Sequence, residues 1–304
     1  MFMGLWGTFI IISFPIDIFF GFISLFNHGH SFLNQNAWIS IFALSVLLTF
    51  VGFIEALRGP IVKNIEIPIE NLADDLVGLK IAQISDLHIG PTIQTRYVEK
   101  VVKITNAINP DLIVITGDLA DAHTESIKKH LQPLRHLKSR FGIFYVTGNH
   151  EYYWSVDTLL PELKSLGFKI LMSSNEILDI GNSKILIAGI PDPMGKSYAT
   201  DHKPDLAKAR ESDTKTELNI LLAHRPDPYE LAEKYGFHLL FAGHTHAGQF
   251  FPFSLIIPFV HKYYKGLNRH GKIWLYVNPG TGYWGPANRF AIASEITLAC
   301  LRKV

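Results

Sequence analysis

Cysteine is almost absent: Cys300 is the single one in 304 residues. That excludes an intrachain disulfide framework and any cysteine-rich zinc cluster, so a metal site must be built from His, Asp, Asn and Glu. An excess of one charge sign is also missing. Lys and Arg number 28 against 27 Asp and Glu, for a formal net charge of +1. This balance gives no general reason to expect nucleic acid as a partner. No internal repeat or low-complexity tract is present. Formal charge is missing altogether from residues 37–54, a stretch long enough for a helix to cross hydrocarbon.

What is there in excess is apolar side chain, and nearly all of the excess lies before Arg58. The run "MGLWGTFIIISFPIDIFFGFISLF" (3–26) is as apolar as the charge-free one but is interrupted by Pro15 and Asp17. The polar stretch "NHGHSFLNQN" joins the two, which reads as a helical hairpin anchoring residues 1–60 to a membrane. Asp17 is costly inside hydrocarbon, so the first segment is expected to lie partly in the interface or to pack on the second. A cleaved signal peptide does not fit, because no positive charge precedes the first run. Arg58 and Lys63 follow the second span and the turn has neither residue type, which favours both chain ends on the cytoplasmic side.

Residues 61–304 change to an α/β pattern. "VKNIEIPIE" alternates like an edge strand, broken by Pro68. "LKIAQISD", "DLIVITGD" and "FGIFYVTGNH" read as buried strands, separated by helical segments at 95–108 and 123–137, the latter bent or split at Pro133. A further helix is expected over 155–167, and strands at 183–189, 217–224, 237–244, 272–278 and 289–303. The short segment 229–236 is a helix candidate closed by Gly236. The order suggests a sheet covered by helices on both faces. Ligands gather at the carboxyl ends of strands in such sheets, and Asp86, Asp118, Asn149, His224 and His244 all fall there.

Each of the five stretches "SDLH" (85–88), "TGDL" (116–119), "TGNHE" (147–151), "LAHRPD" (222–227) and "FAGHTHAGQF" (241–250) is weak alone. Together they supply Asp86, His88, Asp118, Asn149, His224, His244 and His246, more oxygen and nitrogen donors than one ion takes comfortably. Two ions sharing a carboxylate fit better, because a carboxylate has two oxygens and an imidazole one free nitrogen. Mixed N/O donors without sulfur suit manganese, iron or zinc.

These stretches resemble the calcineurin-like metallophosphoesterases, whose pattern D-x-H, G-D, G-N-H-[DE], H and G-H-x-H is complete here. The resemblance covers about residues 79–304. It implies a four-layered α/β/β/α sandwich, in place of the single sheet suggested by the strand order. It implies Asp86, His88 and His246 at one divalent ion, Asn149, His224 and His244 at a second, and Asp118 bridging. His150 resembles the non-ligating histidine that contacts the phosphate or protonates the leaving oxygen. The implied chemistry is direct attack of a metal-bound hydroxide on phosphorus.

More of the chain resembles bacterial membrane-anchored phosphoesterases of the YkuE/YaeI type, through "GFIEALRGP", "GNHEYYWSV" and "VNPGTGYWGPANRFAIASEITL". A location in the bacterial inner membrane follows from that resemblance. Arg289 is a candidate phosphate clamp, because guanidinium matches two phosphate oxygens. Its alternative partner is Glu295. Tyr152, Tyr153 and Trp154 are candidate walls of the leaving-group pocket, with plain core packing as the alternative. The run "QFFPFSLIIPFVHKYYKG" (249–266) reads either as an interfacial lip with Lys262 and Lys265 beside anionic headgroups or as an internal loop and core strand. The expected substrate is a small or lipid-linked phosphodiester or pyrophosphate, with membrane lipid as the only other partner. Relatives of this type include a UDP-2,3-diacylglucosamine pyrophosphatase. A phosphomonoesterase or protein phosphatase is the rival reading, and a non-catalytic scaffold would require eroded ligands.

Overall fold

The computed structural model describes residues 2–26, 35–154, 156–251 and 253–304. Residues before 59 form two long helices, α1 (Phe2–Phe26) and α2 (Gln35–Arg58). Both are long and apolar enough to cross a membrane. Pro15, which interrupts the apolar run in the sequence, lies inside α1. Phe9 packs edge-on against Phe42 and beside Trp38. Most of the polar turn between the helices, 27–34, lies outside the described residues.

The rest of the chain builds two six-stranded sheets, and the single-sheet reading of the strand order is corrected accordingly. The first sheet takes β1 (Ile61–Ile69), β2 (Lys80–Ile84), β3 (Leu112–Thr116), β4 (Ile143–Val146) and β5 (Phe168–Ile170), joined by β12 (Glu295–Lys303), in the order β1-β12-β2-β3-β4-β5. Its helices are α3 (Thr95–Ala107), α4 (Thr124–Leu131), α5 (His150–Tyr153) and α6 (Val156–Ser165). The second sheet takes β6 (Ser174–Ile180), β7 (Ser183–Gly189), β8 (Leu218–Leu222), β9 (Leu239–Ala242), β10 (Gly266–His270) and β11 (Ile273–Val277), in the order β10-β11-β9-β8-β7-β6. Helices α7 (Leu206–Arg210) and α8 (Tyr229–Lys234) cover it, and α9 (Phe253–Val260) stands apart.

The central strands are apolar on both faces because both faces are buried. Along β3, Leu112 and Val114 enter the layer between the sheets, where Phe144, Ile220 and Phe241 meet them. Ile113 and Ile115 point the other way, into the layer holding Val101, Ile127 and Leu163 of the helices. On the far side Leu186, Leu221 and Leu240 pack against Leu206 and Ala232. Four layers result, as the family resemblance implied.

The local expectations fare unevenly. β1 is an edge strand, but Pro68 lies inside it and pairs with Arg302. The helix expected over 123–137 ends at Leu131 and continues as a 3-10 turn containing Pro133. Strands β5, β6 and β10 carry no strong alternation and were not expected. Residues 289–294 are irregular where a strand was expected. The stretch after Gln249 forms a helix with no buried residue rather than a core strand.

Candidate metal centre

Five strands stop just short of the site, and the residues after their last paired position carry its chemistry. β2 leads to Asp86 and His88, β3 to Asp118, β4 to Asn149 and His150, β8 to His224, and β9 to His244 and His246. Both sheets therefore contribute. The local backbone is unusual. Asp86, His88, Asp118, His244 and His246 all have positive φ, between 48° and 70°. That region costs a non-glycine residue of order 1–3 kcal/mol, and it persists where surrounding structure over-determines it. Here the strained turns re-aim five donor side chains toward one point.

Two glycines permit the approach. A Cβ on Gly148 would lie 2.1 Å from Asp118 Oδ1, and one on Gly243 would lie 1.9 Å from Ser85 Oγ and 2.2 Å from Asp86 Oδ2. No side chain fits at either place.

The expected donors fall in two groups, Asp86 with His88 and His246, and Asp118 with His224 and His244, and a third cluster joins His88 to Asp121 and His150. His246 Nε2 lies 3.3 Å from Asp86 Oδ1 and 3.1 Å from His88 Nε2. His224 Nε2 lies 3.2 Å from both Asp118 Oδ2 and His244 Nδ1. Asp118 Oδ2 is also 4.0 Å from His88 Nε2, so this one oxygen faces both groups. Its other oxygen accepts the His150 main-chain N–H at 2.8 Å. Both Asp118 oxygens are thereby committed, Oδ2 facing the histidines and Oδ1 the main chain.

The donor set fits divalent ions on structural grounds. Nitrogen lone pairs converge on each other at hydrogen-bond distance, which only a proton or a cation between them relieves. Asn149 Oδ1 is buried and has no hydrogen-bond partner among the described residues, a costly state that a cation would remove. His224 Nδ1–H donates to the Thr116 carbonyl at 2.8 Å, which leaves Nε2 as the free donor atom.

Burial sets the electrostatics. It pushes Asp86 up to about 6, against the opposing pull of His224. It pulls His88 down to about 4 and His244 to about 2, keeping both imidazoles neutral. Burial also opposes charge on His224, but Asp118 and Asp86 outweigh it and lift that group to about 10. Asp118 is held well below the carboxylate range, its desolvation overcome mainly by His224. Glu151, pushed up to about 7 by burial and by Asp118, accepts main-chain N–H groups from Asp118, Leu119, Ala120 and Gly148. It pins the β3 and β4 loops together.

The other expected residues separate. His150 lies beside the two groups, with Nδ1 2.8 Å from Asp121 Oδ1 and Nε2 3.9 Å from Asp118 Oδ2. Burial works against its charge, but Asp121 and Asp118 prevail and raise its pKa. Tyr153 is half exposed, stacks edge-on against His150, and accepts a bond from Asn149 Nδ2. Tyr152 turns away toward Thr147 and His202, so it does not wall the cleft. Arg289 is corrected as well. It is 1 % exposed, bonds the Pro279 and Gly282 carbonyls, and holds Nη2 3.1 Å from His246 Nδ1. Glu295 accepts from Tyr276 and Thr297 instead.

Two residues escaped sequence reading. Asp121 orients His150 and also accepts from Trp154 Nε1; its position three residues after Asp118 was the available signal. Arg225, adjacent to His224, is paired with buried Asp192 at 2.7 Å and keeps part of its side chain exposed.

Residues 79–248 match the calcineurin-like phosphoesterase family. A metallophosphoesterase of Campylobacter jejuni is 36% identical over 266 residues, 87% of this chain and 69% of that protein. A transmembrane protein with a metallophosphoesterase domain from Danio rerio is 34% identical, over 86% of this chain and 61% of that protein. The YkuE metallophosphoesterase of Bacillus subtilis is 31% identical, over 74% and 79%. The chain spans 65% of the length of a similar Helicobacter pylori metallophosphoesterase. With its complete set of buried and part-buried Asp, Asn and His donors at the ends of five strands, the chain belongs to the calcineurin-like phosphoesterase family of metal-dependent hydrolases.

Proposed function

We propose that this chain hydrolyses phosphodiester or pyrophosphate bonds at a membrane surface, using two divalent ions. Asp86, His88 and His246 would hold one ion and Asn149, His224 and His244 the other, with Asp118, whose Oδ2 faces both groups, as the shared carboxylate. The observation that carries this reading is the convergence of both donor groups on that single oxygen, beside the unpartnered Asn149 Oδ1. When bound, such ions lower the pKa of water and neutralise charge on a phosphoryl group.

The protein's own groups do the rest. His150, held at Nδ1 by Asp121, presents Nε2 toward the site and gives its proton to the leaving oxygen. Arg225, next in sequence to His224 and with its side chain partly exposed, takes the anion-facing place that Arg289 cannot. Tyr153 and Trp154 rim the same mouth, both more than two-fifths exposed. The helices α1 and α2, and relatives named as transmembrane proteins, support membrane association. We place the chain in a bacterial inner membrane with the catalytic domain cytoplasmic, on the strength of Arg58 and Lys63.

The test uses the full chain in detergent with Mn²⁺. Hydrolysis of bis-p-nitrophenyl phosphate should exceed that of p-nitrophenyl phosphate, and UDP-2,3-diacylglucosamine tests the pyrophosphate arm. Asp118→Asn should lose metal and activity together. Equal rates on diester and monoester would remove the diester preference, and full activity of a metal-free protein would end the two-metal reading.

A further inference from the structure

Helix α9, "FSLIIPFV", carries no charge and buries none of its residues. Phe259 is 90 % exposed, and Leu255, Ile256 and Val260 are all more than half exposed. Eight residues are too few to cross a bilayer, and a soluble surface rarely leaves such a face open. Beside it lies a cavity of about 520 Å³, within the roughly 300–1,000 Å³ range of small-molecule sites. One wall is α9, through Phe253, Ile256 and Val260. Another is Gly7 of α1. The floor is Phe250 and Trp284, and the inner end is His244 and His246.

Gln249 and Thr245, the two uncharged polar residues in these walls, are already engaged. Gln249 donates to the Trp284 and Pro286 carbonyls and accepts from the Trp284 N–H. Thr245 donates to the Tyr264 carbonyl and accepts the Ala247 N–H. A nucleotide or sugar entering here would lose its hydration and gain no hydrogen bonds from these side chains. The groove is apolar along its length and reactive only at its inner end.

We infer that the groove between α1 and α9 holds the hydrocarbon chain of the substrate, a membrane lipid whose phosphoester reaches the metal ligands at His244 and His246. This rests on the two-metal reading above and names its substrate class. The occupant follows from continuity: Gly7 belongs to a helix apolar enough to lie in a bilayer, and it lines the same cavity as the exposed, apolar α9. The anchor is then also a wall of the active site.

The experiment takes the full-length, Mn²⁺-loaded protein in one detergent and compares methyl, butyl, octyl and dodecyl p-nitrophenyl phosphate. Wild type should lower KM by about two- to fourfold per methylene until the groove is filled. Gly7→Phe should fill the groove, since a Cβ there meets nothing within 4 Å. Ile256→Asp, on an exposed position, should place a charge in it. Both variants should flatten the chain-length dependence while leaving metal content and the methyl ester rate unchanged. A wild type equally active on all four esters would overturn the groove and leave the phosphodiesterase reading standing. Retention of the full dependence by both variants would overturn it too. No hydrolysis of any ester would overturn both readings.

Discussion

At the residue scale, the site is a set of expensive choices held in place by neighbours. Five donors sit at positive φ and three acids are buried within one neighbourhood, Asp86, Asp118 and Glu151. The imidazoles differ in readiness. His88 and His244 are neutral by desolvation, whereas His224 holds a proton up to about pH 10. An ion can take His224 Nε2 only after that proton leaves. Metal uptake at pH 7.5 should therefore release about one proton from this group, and affinity should rise with pH. Calorimetry in buffers of different ionisation enthalpy measures the release; no buffer dependence would contradict the assignment. His150→Ala should keep the metal and lower turnover by about 10²–10⁴-fold. Metal analysis beside kinetics separates that outcome from a ligand role, in which the metal would be lost. The identity of the donors was legible because five short stretches each followed an apolar run. The roles of Arg289 and Tyr152 were not, because composition does not reveal which way a side chain turns. Arg289 reads as a clamp in sequence and spends its guanidinium on carbonyls in space.

At the scale of elements, the layer between the sheets positions everything else. Phe144 is fully buried there, while its neighbours Ile143 and Tyr145 face the helices. Phe144→Ala should cost about 3–5 kcal/mol, seen as a lowered denaturation midpoint, and should loosen the β4 loop that carries Asn149. Gly243→Ala is a different kind of lesion. Its Cβ would overlap Ser85 Oγ and Asp86 Oδ2, so metal content should fall before global stability does. Titration of metal against thermal unfolding distinguishes the two. The strands ending in donors were readable from their continuous apolar runs. β5, β6 and β10 were not. β5 has only three residues, and the other two are border strands with mixed burial, so no single periodicity marks them. The second sheet was hidden for a related reason: buried strands look alike whichever sheet they join, and pairing across the chain decides the layer.

At the scale of the whole molecule, the two N-terminal helices and the two-sheet domain are built together. The Arg289 main-chain N–H donates to the Gly52 carbonyl of α2 at 2.9 Å, and Gly52 leaves room for the Asn288 side chain. Ala56 belongs to the same buried cluster as Val98 and Ile113. Lys100 caps the helix end by donating to the Arg58 carbonyl. The loop so held carries Arg289, whose side chain supports the back of His246. Removing residues 1–58 should weaken retention of the ion held by His246 and expose apolar surface. Metal retention during dialysis, compared with the full chain in the same detergent, checks this; equal retention would mean the helices only tether.

The docking of Gly52 and Ala56 also bears on how a membrane could meet the domain. Across the last two turns of α2 these two residues are buried while Ile54 and Leu57 stay exposed, so one face is docked and the other is left open. A membrane crossed by this helix would reach the domain along that open face, and its headgroup plane would lie beside the loop that carries Arg289. The mouth of the cleft would then open among the headgroups themselves, and a lipid could present its phosphate without ever being lifted into water.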